Sequence, residues 1–122
     1  MVLALKLQQT TLARPLEKIN RLAYNLSMNI EEIKKKIKYI FPRNNVVFAG
    51  VFGSYARNEA KKNSDIDILV RFGRPVSLLD MGGLQVDLTE ALNKNVDVVT
   101  EEGLHPKIRK NVLNDLKVVY EK

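Results

Sequence analysis

The sequence predicts an α/β (α+β) fold, one small mixed β-sheet backed by helices. Three observations carry this. Short apolar, β-branched runs at residues 46–52, 66–70 and 96–99 have the length and composition of strands. Longer segments between and around them place apolar residues three and four apart, the spacing of one helix face. With 122 residues and 45% hydrophobic content, the chain can fill one compact core and is too short for two ordinary domains. No repeat, low-complexity tract or interdomain linker breaks the alternation.

From the N-terminus, residues 1–27 are helix-prone, with Leu3, Leu5, Leu7, Leu12, Leu16, Ile19, Leu22 and Leu26 irregularly spaced and Pro15 placed to open a second helix. Residues 1–28 are therefore read as an N-terminal helical extension and 29–122 as the main domain. The extension is either an added packing or homo-oligomerisation helix, or it precedes a true start at Met28. Asn29 and Glu32 then make a capping-box pattern before Ile30, Ile33, Ile37, Ile40 and Phe41, which follow helical spacing. Pro42-Arg43-Asn44-Asn45 supplies a turn into the first strand. After the second strand, Arg71-Phe72-Gly73-Arg74-Pro75 breaks the chain. Ser77 and Asp80 cap a helix bearing Leu78, Met81, Leu84, Gln85, Leu88 and Leu92, whose first turns Gly82 and Gly83 weaken. The third strand, a loop at 100–106, a helix with Ile108, Val112 and Leu116, and a short strand at 118–120 complete the chain.

The chemistry gathers around the second strand. The run at 46–52 stops at Gly53-Ser54, and Ala56, Arg57, Glu59, Ala60 and Lys61 favour a short helix beginning at Ser54. Such a start offers unpaired backbone N–H groups and a positive dipole end to a phosphate. Asp65 and Asp67 alternate with Ile66, Ile68 and Val70, so a strand puts both carboxylates on one face. Two carboxylates that close repel each other unless a cation lies between them, and Mg²⁺ with phosphate oxygens suits that place. Asp97, inside the apolar run 96–99, would be a costly charge on a central strand unless it shared the site. Three aspartates on neighbouring strands suit two-metal phosphoryl or nucleotidyl transfer. Arg57 and Lys61, on the short helix, stand within reach of a triphosphate, although exposed helix cations are often merely solvated. Ser64 and Tyr55 are read as structural. His105 is the only histidine and cysteine is absent, so neither a zinc site nor a histidine-based triad has support.

Gly53-Ser54-Tyr55-Ala56-Arg57, with Ser64-Asp65-Ile66-Asp67-Ile68-Leu69-Val70 and Val96-Asp97-Val98-Val99, resembles the minimal nucleotidyltransferases of the DNA polymerase beta-like superfamily. Many of these are antitoxins of HEPN/MNT toxin–antitoxin pairs. The similarity runs from about residue 29 to the C-terminus. One departure is Asn58, where the family often has glycine; asparagine tolerates the left-handed backbone that the turn would need. The resemblance implies the nucleotidyltransferase fold and a metal-dependent transfer of AMP from ATP to a hydroxyl side chain of a HEPN-type toxin. Gly53 and Ser54 would hold the β- and γ-phosphates, with Arg57 and Lys61 as further nucleotide contacts. Asp65, Asp67 and Asp97 would be the catalytic carboxylates and the ligands of two Mg²⁺ ions.

The charge of +6 raises nucleic acid as a rival partner, but the whole excess lies in residues 1–43, away from the aspartates. A nucleic-acid binder would use those N-terminal helices, and a non-catalytic antitoxin would neutralise its toxin without the aspartates. No apolar stretch approaches the roughly 20 residues of a membrane span, and a cytoplasmic protein without membrane contact is expected.

Overall fold

The computed structural model describes residues 28–122. The elements follow as α1 (Ile30–Ile37), α2 (Ile40–Arg43), β1 (Val46–Phe52), β2 (Ile66–Phe72), α3 (Leu78–Leu92), β3 (Val96–Thr100), α4 (Pro106–Asp115) and β4 (Lys117–Glu121). The expected N-terminal extension lies, Met28 apart, outside the described residues. Asn29 caps α1 as its sequence predicts: its side chain accepts from the Glu32 N–H at 2.8 Å, and the Glu32 carboxylate accepts from the Asn29 N–H at 3.0 Å. The expected turn at Pro42 begins later. Pro42 sits in the first turn of α2, where its missing N–H forfeits no helical bond, and the chain reverses at Asn45, whose φ is 61°.

The four strands run in the order β3-β2-β1-β4. β1 is antiparallel to β2 and β4, whereas β2 and β3 are parallel and joined through α3, so the sheet is mixed. On one face Ala49 and Val51 of β1 and Ile66, Ile68 and Val70 of β2 pack with Ile33, Ile37 and Phe41 and with Leu84, Leu88 and Leu92 of α3. Each fully buried Ile or Leu contributes about 1.5–3 kcal/mol of transfer free energy, which makes this face the principal source of stability. On the other face Leu69 meets Leu104 and Val112, with Phe52, Val99 and Leu116 around them, in a smaller cluster under α4. β2 is thus covered on both sides at its middle, which accounts for the apolar run Ile68-Leu69-Val70 between Asp67 and Arg71. Gly50 admits this second layer: a Cβ there would stand 2.8 Å from Leu116 Cδ1.

α3 runs unbroken through Gly82 and Gly83, because the residues that anchor it, Leu84, Leu88 and Leu92, lie beyond them. It starts on the expected Ser77–Asp80 capping box and ends at Asn93, which is left-handed. His105 caps α4 through Nδ1, which accepts from the Lys107 N–H at 3.1 Å, and Pro106 opens the helix. No described helix is long and apolar enough to cross a membrane.

Candidate active site

β1 delivers Gly53 to the site. Its last residue, Phe52, faces Asp67 of β2 across the antiparallel ladder. Gly53 has a φ of +76°, which favours glycine, and a Cβ there would stand 2.5 Å from Asp67 Oδ2, so any side chain would have to displace that carboxylate. The segment after it is one turn, not the helix expected from Ser54. The Arg57 N–H donates to the Gly53 carbonyl at 3.1 Å, Asn58 N–H to Tyr55 at 3.3 Å and Glu59 N–H to Ser54 at 2.8 Å. The last two are the bonds of a Schellman motif, and Asn58 takes its left-handed position at φ 61°. That motif ends the helix after a single turn, so a helix dipole contributes little here. The N–H groups of Ser54, Tyr55 and Ala56 have no hydrogen-bond partner among the described residues and remain for an anion.

Asp65 is exposed and stands just before β2, with Asp67 two residues on in the strand. Parallel register places Asp97 of β3 directly beside Asp67. β3 is an edge strand and Asp97 is exposed, which corrects the expectation of a central strand. Burial cost is therefore no argument for Asp97; its register with Asp67 is. Desolvation raises the Asp67 carboxyl from 3.8 to about 6, with the charges of Asp97 and Asp65 adding to the rise and that of Arg57 opposing it. The fold thus gathers the three predicted aspartates and Arg57 around Gly53.

Among the described residues, no group of three or more His, Cys, Asp or Glu side chains is closed into a ready metal cage. The donor chemistry nonetheless fits a hard cation. The groups are all carboxylates, and the strained one is half-buried against like charges that a cation would neutralise.

Arg57 is held from the far side of the fold. Its Nη1 donates to Asp115 Oδ2 at 2.7 Å and its Nε to Glu59 Oε1 at 3.0 Å. Asp115 is the residue that sequence reasoning missed. The available signal was a carboxylate in the last turn of a helix, where the dipole disfavours negative charge and a cation partner is to be sought. Lys61 is exposed and not on a helix with Arg57; its N–H donates to Ser64 Oγ at 2.8 Å, giving Ser64 the expected structural place. Tyr55 is buried in the main core, as expected for packing. A cleft of about 350 Å³ beside Asp65 is lined by Lys62, Asn63, Ser64, Asn93, Lys94 and Asn95. A separate cavity of about 490 Å³ lies beyond the α4 cluster, at the other end of β2, with Arg71, Arg74, Glu101 and Arg109 in its wall.

Residues 35–122 match the family model described as polymerase beta, nucleotidyltransferase. A candidate protein adenylyltransferase of Methanocaldococcus jannaschii is 52% identical over 88 residues, covering 72% of this chain and 95% of that protein. The protein adenylyltransferase MntA of Thermococcus cleftensis is 41% identical over 97 residues, covering 76% of this chain and 96% of its own. Among solved structures, one described as a minimal nucleotidyltransferase superposes with a TM-score of 0.64 at 36% identity, covering 74% of this chain and 95% of that one. A toxin–antitoxin structure with AMP-PNP gives 0.64 at 25% identity, covering 73% of each chain.

Proposed function

This chain belongs to the polymerase beta nucleotidyltransferase family, and on that premise we propose that it transfers AMP from ATP to a hydroxyl side chain of a HEPN-type toxin, as the antitoxin of the pair. The observation that carries the reading is the Gly53-Ser54 turn pressed against Asp67, with Asp97 in register beside it. The relatives named as protein adenylyltransferases support AMP as the group moved and a protein as the acceptor. The related toxin–antitoxin structure with AMP-PNP supports ATP as the donor and a toxin as the partner.

In this reading the free N–H groups of Ser54, Tyr55 and Ala56 bind the β- and γ-phosphates, and Arg57 adds a fixed positive charge. Lys61, which is exposed, is a secondary contact for the triphosphate. Asp65, Asp67 and Asp97 would hold two Mg²⁺ ions, which when bound neutralise the carboxylates and triphosphate and acidify the acceptor hydroxyl. Gly53 keeps the turn close enough to Asp67 for phosphate and carboxylates to share one site. The acceptor oxygen forms its bond to the α-phosphorus as the bond to the bridging oxygen breaks, and pyrophosphate leaves. The hydroxyl proton passes towards Asp97, an exposed carboxylate in register beside Asp67. Positioning and charge neutralisation supply most of the acceleration. AMP on the toxin adds charge and bulk where RNA would bind, which blocks it.

Calorimetric titration of ATP with Mg²⁺ tests the site. The double variant Asp65→Asn, Asp67→Asn should lose Mg²⁺-dependent binding while keeping its fold; unchanged Mg²⁺ dependence would remove the proposed site.

A further inference from the structure

We propose that the outer face of α3 is the surface on which the acceptor protein docks. The partner it fits is a helix carrying apolar side chains flanked by Lys or Arg. The inference rests on the reading above, in which the acceptor is a separate protein.

Leu78 is 86% exposed, Leu79 84% and Val86 54%, on a helix whose opposite side is buried through Leu84, Leu88 and Leu92. Single exposed leucines need no explanation. These residues, however, share a stripe with two glycines: Leu79, Gly82, Gly83 and Val86 stand at i, i+3, i+4 and i+7. A Cβ on either glycine would meet nothing within 4 Å, so the fold itself does not require glycine there. Each weakens the helix relative to alanine. What the pair creates is a notch between Leu79 and Val86, open to a side chain or a closely approaching helix from outside.

Charge selects the occupant. α3 carries Asp80, Asp87 and Glu90 and no basic residue. An isologous contact between two copies would set these carboxylates against their own kind, which disfavours a second copy and favours a basic partner. Position ties the surface to the chemistry. A groove of about 410 Å³ on α3 is lined by Gly82, Gln85, Val86, Thr89, Glu90 and Asn95. Asn95 also lines the cleft beside Asp65, and its carbonyl accepts from the Ile66 N–H at 3.0 Å, next to Asp65 and two residues before Asp97. Asn95 therefore joins the α3 groove to the cleft beside Asp65, at the edge of the site and not on the face that carries Asp67.

The test uses the full chain and the HEPN-type toxin, co-expressed and then titrated as purified proteins. Leu79→Glu places a charge on the face, and Gly83→Leu fills the notch at a position where helix stability should rise. Both should weaken association at least tenfold and raise KM for the toxin, with kcat at saturating toxin, ATP affinity and melting temperature retained. Association unchanged in both variants, or no complex with the toxin at all, would overturn the proposal. So would an effect of the variants on self-association alone, or α3 amides that lose exchange protection when residues 1–27 are removed, which would name the chain's own N-terminal segment as the occupant. Failure of the wild-type chain to bind ATP would instead sink the nucleotidyl-transfer reading and leave a loss of association on α3 intact.

Discussion

The Asp67 carboxylate occupies the space that a side chain on Gly53 would need: its Oδ2 lies 2.5 Å from where that Cβ would stand. The turn that receives phosphate and the strand that carries the carboxylates are thereby fixed against each other. Gly53→Ala must either displace Asp67 or relax a backbone with φ +76°. We expect a loss of about 1–2 kcal/mol in stability from the left-handed position. ATP binding should be lost even at temperatures where the variant is fully folded. A thermal melt beside calorimetry separates the two effects, and full ATP affinity in Gly53→Ala would show that the close approach has no functional part.

Asp67 also sets a pH dependence. Its carboxyl stands at about 6 against an ordinary 3.8. The folded protein holds this proton more tightly than the unfolded chain, so the group favours folding while protonated, and that contribution is lost as pH rises through this window. Without metal, wild-type stability relative to Asp67→Asn should fall between about pH 4 and 6, leaving the variant more stable at pH 7 by on the order of 1–2 kcal/mol. Paired melts across that range check it; parallel curves for the two proteins would contradict it. Mg²⁺ should reduce the difference.

Arg57 and Asp115 join the turn after β1 to the end of α4 at 2.7 Å. Both are partly exposed, so Asp115→Ala should cost less than about 1 kcal/mol. Its larger effect should be on ATP, with KM rising several-fold as Arg57 loses its fixed direction and Asp115→Glu recovering part of the loss. An unchanged KM would reduce the pair to a surface contact.

Tyr55 has a buried hydroxyl with no hydrogen-bond partner among the described residues. Tyr55→Phe removes that uncompensated group and keeps the ring, so it should be neutral or stabilising by about 1 kcal/mol, with transfer activity intact. Loss of activity would assign Tyr55 a chemical part in place of packing.

Much of this was legible in the chain because it rests on periodicity and turn chemistry. The alternation of Asp67 with Ile66 and Ile68, the capping boxes at Asn29 and Ser77, and Asn58 as a substitute for glycine are all local patterns, and the fold keeps them, with Asp65 standing just before the strand. What was misjudged depends on tertiary neighbours. Residues 54–61 have helical propensity, but the Schellman bonds at Asn58 stop the helix after one turn. Asp97 reads as a central-strand charge because its neighbours are apolar, yet those neighbours are wanted for a strand packed between α3 and α4 at the sheet edge. The Arg57–Asp115 pair spans 58 positions; a carboxylate at a helix end signals that a cation partner is wanted, but no local pattern says which.

The central claim is that the carboxylates around Gly53 move AMP onto a protein hydroxyl. Intact-mass analysis of the HEPN-type toxin after incubation with this chain, ATP and Mg²⁺ measures that directly. We predict an AMP-sized increment on the toxin that disappears when Asp65, Asp67 or Asp97 is changed to Asn. A toxin that is fully neutralised with no change in mass, or an increment that survives all three substitutions, would contradict the account.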